Sequence, residues 1–150
     1  MGRVEAIWTK RVHGGPMDPH ESVRAVEDYG LEDCAGGGRT WRQVTVIEKE
    51  VFDRIKQEFP DSDPVMRRAN VMVSGVRLEG CVDRILQLGE LRLHMRGETR
   101  PCQLMDDQCP GLKDALDPNW GAGAFGKVLN DAEIHVGDEV RWTESAAAAD

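Results

Sequence analysis

No apolar run in this chain approaches the roughly 20 residues that a membrane-crossing helix requires, so a membrane partner is not expected. Cysteine is sparse. Cys34, Cys81, Cys102 and Cys109 are too few and too irregularly spaced for a disulfide scaffold, and no Cys-x-x-Cys pair suggests a zinc site. The four histidines are scattered, without a His-Glu spacing that would ligate metal. The amino terminus has no basic and apolar signal region, so a reduced, cytoplasmic protein is expected. Positive charge is in deficit, with 19 Lys and Arg against 27 Asp and Glu and a formal charge of -8. Phosphate-backbone binding needs a net cationic footprint, which argues against nucleic acid. Any anionic ligand must instead be held by a local arginine cluster. No internal repeat is visible.

At 150 residues the chain can build one domain with a real core, but not two. A single module over 1–150 is expected, with 145–150 a frayed tail. Val4, Ala6 and Trp8 alternate with polar neighbours as an opening strand that His13-Gly14-Gly15-Pro16 breaks. Met17 to Leu31 fits helix or strand equally. Cys34 to Thr40 is a loop, since three consecutive glycines lose too much backbone entropy inside an element. A β-branched run at Val44–Ile47 precedes a helix over about 48–59, with Val51, Phe52, Ile55 and Phe59 on one face and Pro60 as its stop. Met66 to Val73 reads as a strand, which puts Arg68 and Asn70 on one face and Arg67 on the other. Leu91, Leu93 and Met95 alternate as a half-buried strand that leaves His94 exposed. A short helix is expected over about 110–117, then strands over 125–129 and 134–142, the latter containing a Gly137-Asp138 turn. Many short strands with close turn signals give a mainly β fold, a barrel or folded sheet with peripheral helices.

The chemistry concentrates in a few places. In Arg100-Pro101-Cys102 a proline fixes the backbone beside a thiol, and the neighbouring arginine favours the thiolate, the form that attacks or binds metal. The alternative is inert packing. Cys109 is a resolving thiol or an ordinary helix-start residue. Arg68 with Asn70 can grip phosphate through charge-assisted hydrogen bonds, or can serve as a solvated strand edge. Arg42 and Lys127 are candidates for the same anion, or surface charges. Gly121-x-Gly123-x-x-Gly126 spells a dinucleotide fingerprint but precedes a strand where that motif should join strand to helix. Its expected use is to turn a barrel corner or to approach a ligand closely. Trp8, Trp41, Trp120 and Trp142 read as core or rim packing, with Trp120 able to line a pocket.

Taken in order, Arg42-Gln43-Val44, Arg68-Ala69-Asn70, Leu86-Gln87-Leu88-Gly89, Arg100-Pro101-Cys102, Phe125-Gly126-Lys127-Val128-Leu129 and Val136-Gly137-Asp138 resemble the MOSC domain. That module occurs at the carboxyl end of molybdenum-cofactor sulfurases, in amidoxime-reducing enzymes and alone in small bacterial proteins. The resemblance implies a β-barrel-like fold and a molybdenum cofactor of the molybdopterin type. It assigns Cys102 as thiolate ligand or persulfide carrier, Arg68 and Asn70 as holders of the anionic tail, and Arg100 as a further cofactor contact. The implied activity is reduction of an N-hydroxylated small molecule or sulfur transfer through Cys102. The alternative is a non-catalytic carrier of cofactor or sulfane sulfur. Electrons or sulfur would come from an external donor protein. Larger relatives carry a pyridoxal-phosphate desulfurase domain for which this chain has no room, so pyridoxal phosphate is not expected.

Overall fold

The computed structural model describes residues 2–145. The chain opens on β1 (Gly2–Lys10), followed by β2 (Met17–His20), β3 (Ser22–Val26), β4 (Gly30–Leu31) and β5 (Val44–Glu48). Helix α1 (Lys49–Glu58) leads to β6 (Val71–Ser74), β7 (Arg84–Leu88) and β8 (Leu91–Glu98). Two short helices, α2 (Gln103–Gln108) and α3 (Leu112–Leu116), precede β9 (Ala124–Val128), β10 (Ala132–His135) and β11 (Glu139–Ser145). Strands pair in the order β11-β7-β8-β9-β5-β6-β1, and β1 returns to β11 through Gly2 opposite Val140 and Arg3 opposite Glu139. The result is a closed seven-stranded barrel, in which every barrel strand is paired on both sides. β2 is attached to the outside of β1, and β10, β3 and β4 form a small second sheet.

Alternation along β5 and β6 divides the core. Val46, Val71 and Val73 face the barrel interior with Val4, Leu86, Leu88, Leu91, Leu93 and Met95. Ile47 and Met72, one residue out of step, face outward and meet Val51, Phe52 and Ile55 of α1 together with Met105, Leu112 and Leu116. β5 and β6 run parallel, with α1 in the crossover between them, so its apolar stripe packs back onto the strands it joins. Within the glycine run, Gly123 has φ of 99°, and a β-carbon there would collide with the Val46 carbonyl. A β-carbon on Gly126 would lie 2.5 Å from the His94 carbonyl oxygen. Both positions let β9 pass close to its neighbours at the barrel corner.

Several expectations need correction. The segment read as a strand from Met66 begins instead as a 3₁₀ turn, Pro64–Arg67, followed by Arg68 in the left-handed region at φ 62°. Asp63 accepts a bond from the Val65 amide at 3.0 Å and Pro64 opens the turn, so the strand starts only at Val71. The alternation that set Arg67 apart from Arg68 and Asn70 therefore does not apply. The ambiguous stretch from Met17 to Leu31 forms three short strands and no helix. The helix expected over 110–117 is the shorter α3, and α2 precedes it without having been anticipated. His94 is half-buried, edge-on to Trp41 with ring centroids 4.9 Å apart and bonded to Asp83 Oδ1 at 2.8 Å. Apart from Ser145, the tail expected at 145–150 lies outside the described residues.

Candidate functional site

Five of the chain's cations converge on one cavity of about 240 Å³. Lys10 arrives from the end of β1, Arg39 and Arg42 from the loop before β5, and Arg67 and Arg68 from the turn before β6. Gly36, Gln43, Thr45 and Asn70 complete the wall, and no Asp or Glu lines it. The charges oppose one another. Burial lowers the pKa of Lys10, and the charges of Arg68, Arg39 and Arg42 lower it further against the raising effect of Cys34. Burial likewise lowers Arg42, reinforced by Arg39. Arg67 is pushed down to about 10, by burial first and by Arg42 second. Such a cluster destabilises the empty fold and is relieved by an anion.

Two buried amides hold the walls in place. Gln43 donates through Nε2 to Asp28 Oδ1 at 3.0 Å and to the Arg39 carbonyl at 2.7 Å, and its Oε1 accepts the Val128 amide at 3.0 Å. The arginine-bearing loop is thereby fastened to β9. Asn70 Oδ1 accepts the Thr45 amide at 3.0 Å, while Nδ2 donates to the Trp8 carbonyl at 3.3 Å and to Cys34 Sγ at 3.6 Å. Asn70 thus lines the cavity, yet its amide joins β5, β1 and the Cys34 loop to one another. Outside the wall, the Trp41 ring carries Lys127 Nζ 4.5 Å from its centroid and the Arg96 guanidinium at 4.8 Å.

Arg68 reaches across to the Gly15 carbonyl at 2.6 Å. Arg67 is only 4 % exposed, and its Nε donates to the Ala122 carbonyl at 2.7 Å. Its Nη2 is the one buried side-chain nitrogen or oxygen without a hydrogen-bond partner among the described residues. Cys102 is exposed at the start of α2, where its amide donates to Met105 Sδ at 3.2 Å. A thiolate there opposes the lowering of both Arg42 and Arg67, which puts the sulfur within electrostatic reach of the cavity.

Of the residues singled out from sequence, Arg42, Arg68 and Asn70 share this cavity; Cys102 does not line it, though its charge bears on Arg42 and Arg67. Arg100 and Lys127 do not line it: Arg100 pairs with Asp117 at 2.9 Å, and Lys127 sits on Trp41. Lys10, Arg39 and Arg67 were not anticipated. The Asp63-Pro64 pair was a signal that could have placed Arg67, whereas Lys10 and Arg39 depend on long-range pairing that no local motif reports. Cys34, read as a loop residue, is buried beneath the cavity wall, and Cys109 is buried at the end of α2. Among the described residues no three His, Cys, Asp or Glu side chains converge as a metal cage, and no helix is long and apolar enough to cross a membrane.

No curated protein matches the sequence significantly. Solved structures do resemble the fold. The YuaD protein from Bacillus subtilis superposes with a TM-score of 0.77 at 18 % identity, covering 96 % of this chain and 97 % of that one. YiiM from Geobacillus stearothermophilus gives 0.72 at 18 % identity over 99 % and 82 % of the two chains, and YiiM from Escherichia coli 0.67 at 12 % over 96 % and 73 %. The profile of the MOSC domain matches residues 9–141, most of the chain, which therefore belongs to the MOSC domain family.

Proposed function

We propose that this protein binds a molybdenum cofactor of the molybdopterin type and reduces N-hydroxylated small molecules. The observation that carries the reading is the cavity of five cations without a carboxylate, with an exposed thiol in electrostatic reach of two of them. The residues fit such a group. Among the described residues Arg67 Nη2 is a buried donor without an acceptor, and the cavity's uncompensated charge suits a phosphorylated tail. Cys102 offers the soft ligand that molybdenum accepts. Since no protein cage of three ligands surrounds it among the described residues, a metal at Cys102 would take its remaining ligands from a chelating pterin. When bound, that group supplies two-electron oxygen-atom transfer. The chain's own part is to hold the tail in the cavity, present the Cys102 sulfur, and keep both in register through the barrel. An external protein delivers the electrons.

The exposure of Cys102 favours a second reading, sulfur transfer through a Cys102 persulfide loaded by a donor protein. One preparation separates the two. Protein is made in a host that synthesises the cofactor, molybdenum and pterin are measured per chain for wild type and Cys102→Ala, and reduction of an amidoxime is followed with a supplied reductant. The reductase reading expects near-stoichiometric metal and turnover in the wild type, both lost in the variant. Bound cofactor without turnover points to a carrier, while equal or absent metal in the two proteins refutes cofactor ligation by Cys102.

A further inference from the structure

β5 carries Thr45 on the cationic cavity and ends at Glu48 on a second one, of about 500 Å³, and the two cavities share no wall residue. Glu48 is the unusual part of this second wall. It is only 4 % exposed, yet its carboxylate makes no cap bond to α1, and Oε2 alone is occupied, accepting the Leu78 amide at 3.3 Å. Oε1 has no hydrogen bond among the described residues, since Arg77 Nε stands 3.8 Å away. Nor is that oxygen sealed in. Arg67 Nη2 is the one buried side-chain nitrogen or oxygen left unpartnered among the described residues, so Oε1 keeps accessible surface, and the space it meets is the cavity that Glu48 lines. A glutamine would hold the Leu78 amide without a charge, so the fold alone gives no reason for a carboxylate here.

The rest of the wall sets the class of occupant. Arg54 lines the cavity without an ion pair or hydrogen bond among the described residues, and its charge reaches Glu48. Arg77 is drawn to Glu48 and Glu79, and Glu50 accepts the Gly75 amide. A plain cation would meet two arginines and a plain anion two carboxylates, so neither suits this wall. What remains free is one acceptor, Glu48 Oε1, and one cation, Arg54. A small molecule with both an ammonium and a carboxylate answers the two together. Val51, Arg54 and Asn119 also line an adjoining cavity of about 220 Å³, whose further wall includes Ile55, Ala115 and Pro118. An apolar group laid along Val51 would be withdrawn from water there.

We propose that this second cavity binds a free α-amino acid with an apolar side chain, its ammonium donating to Glu48 Oε1, its carboxylate paired with Arg54 and its side chain lying along Val51 toward Ile55 and Ala115. The site is independent of the cofactor reading, because neither Cys102 nor any wall residue of the cationic cavity takes part. The ammonium satisfies an oxygen that the fold leaves bare. Arg54 selects against amines that lack the carboxylate.

The test is isothermal titration of the whole protein at neutral pH and constant ionic strength with four probes: L-leucine, glycine, isoamylamine, which lacks the carboxylate of leucine, and isocaproate, which lacks its ammonium. Leucine is expected to bind at least about tenfold more tightly than the amine or the acid, and a few-fold more tightly than glycine. Glu48→Gln and Arg54→Gln should each weaken leucine binding by about tenfold or more. Arg54 is an exposed residue, so its substitution spares the fold should Glu48→Gln disturb it. Arg11→Gln, outside both cavities, should bind leucine as the wild type does. Nitrogen-15 NMR of the wild type locates the ligand: the amide signals of Val51, Arg54 and Asn119 should move with leucine while those of Arg42 and Arg68 stay in place. Absent leucine binding, equal binding of glycine, the amine or the acid, undiminished affinity in Arg54→Gln, or shifts at Arg42 and Arg68 in place of Val51 would each overturn this inference. None of these results bears on molybdenum at Cys102.

Discussion

Arg67 and Thr99 share one acceptor: the Ala122 carbonyl receives Arg67 Nε at 2.7 Å and Thr99 Oγ1 at 2.7 Å. Arg67 belongs to the cationic cavity, and Thr99 immediately precedes Arg100-Pro101-Cys102. A single backbone oxygen therefore fixes both a guanidinium of the cavity wall and the segment that carries the thiol. The Thr99 amide adds a second anchor on the Gly123 carbonyl at 3.0 Å.

Thr99→Val preserves shape and removes the hydroxyl. Thr99 is buried, but its loss leaves Ala122 with one donor, so the expected cost is about 1 kcal/mol, the net value of an ordinary buried hydrogen bond. For a domain of this size that lowers the melting temperature by about 2–4 °C. Calorimetry measures the loss, and hydrogen exchange at Thr99 and Cys102 should quicken while the exchange of β8 amides before Met95 stays unchanged.

Asn70 gives a sharper contrast. If its role were to touch a ligand, Asn70→Ala would leave the melting temperature of ligand-free protein unmoved. The amide instead satisfies the Thr45 N–H and the Trp8 carbonyl, both of which the alanine leaves unpaired. The expected destabilisation is about 2–4 kcal/mol by denaturant titration. Asn70→Asp should not recover it, because a carboxylate oxygen would then face the Trp8 carbonyl.

How much of this was legible in the sequence follows from which interactions are local. Leu91, Leu93 and Met95 are fully buried on β8, as their alternation foretold, and Gly137-Asp138 does separate β10 from β11. Helix α1 carried both a clear apolar face and a proline stop. Helix α2 has a proline at the same offset, Pro110, which reads equally as a helix start, and it has no apolar face: only Met105 is buried within it, and Leu104 points outward. The cavity was legible in part. Arg42 and Arg68 stand in motifs, whereas Lys10 joins them because β1 pairs with β6 in the barrel, a contact of long sequence separation. Arg67 was misplaced by applying a two-residue period to a 3₁₀ turn, and that error concealed the residue whose buried Nη2 lacks a partner among the described residues.

Trp41 sits one residue from Arg42 and two from Arg39, and it is held by Lys127 and Arg96 on its ring and by His94 at its edge. Each cation–π contact at such a half-exposed place contributes about 0.5–1 kcal/mol. Trp41→Leu keeps apolar bulk and removes the ring. It should lower stability by about 1 kcal/mol and weaken inorganic phosphate binding a few-fold, since the loop bearing two of the five cations loses an anchor. Titration calorimetry and thermal melts on the same sample check both effects. Unchanged affinity alongside a lower melting temperature would show that Gln43 alone positions the loop.

Glu48, at the end of β5, makes stability depend on pH. Burial raises its carboxyl above the ordinary carboxylate range, against the bond from the Leu78 amide at 3.3 Å and the charge of Arg77. Between the unfolded and the raised folded value the native state holds the proton more often, so the stability associated with Glu48 is complete below the unfolded value and falls as pH rises through the folded one. At neutral pH its ionised form is a standing cost. Glu48→Gln retains an oxygen for the Leu78 amide and discards the charge. The variant should therefore melt above the wild type at neutral pH, by on the order of a few degrees, and the gap should close as pH falls below about 4. A wild type that melts higher at neutral pH would mean that the Arg77 pair, at 3.8 Å, outweighs the burial of the carboxylate.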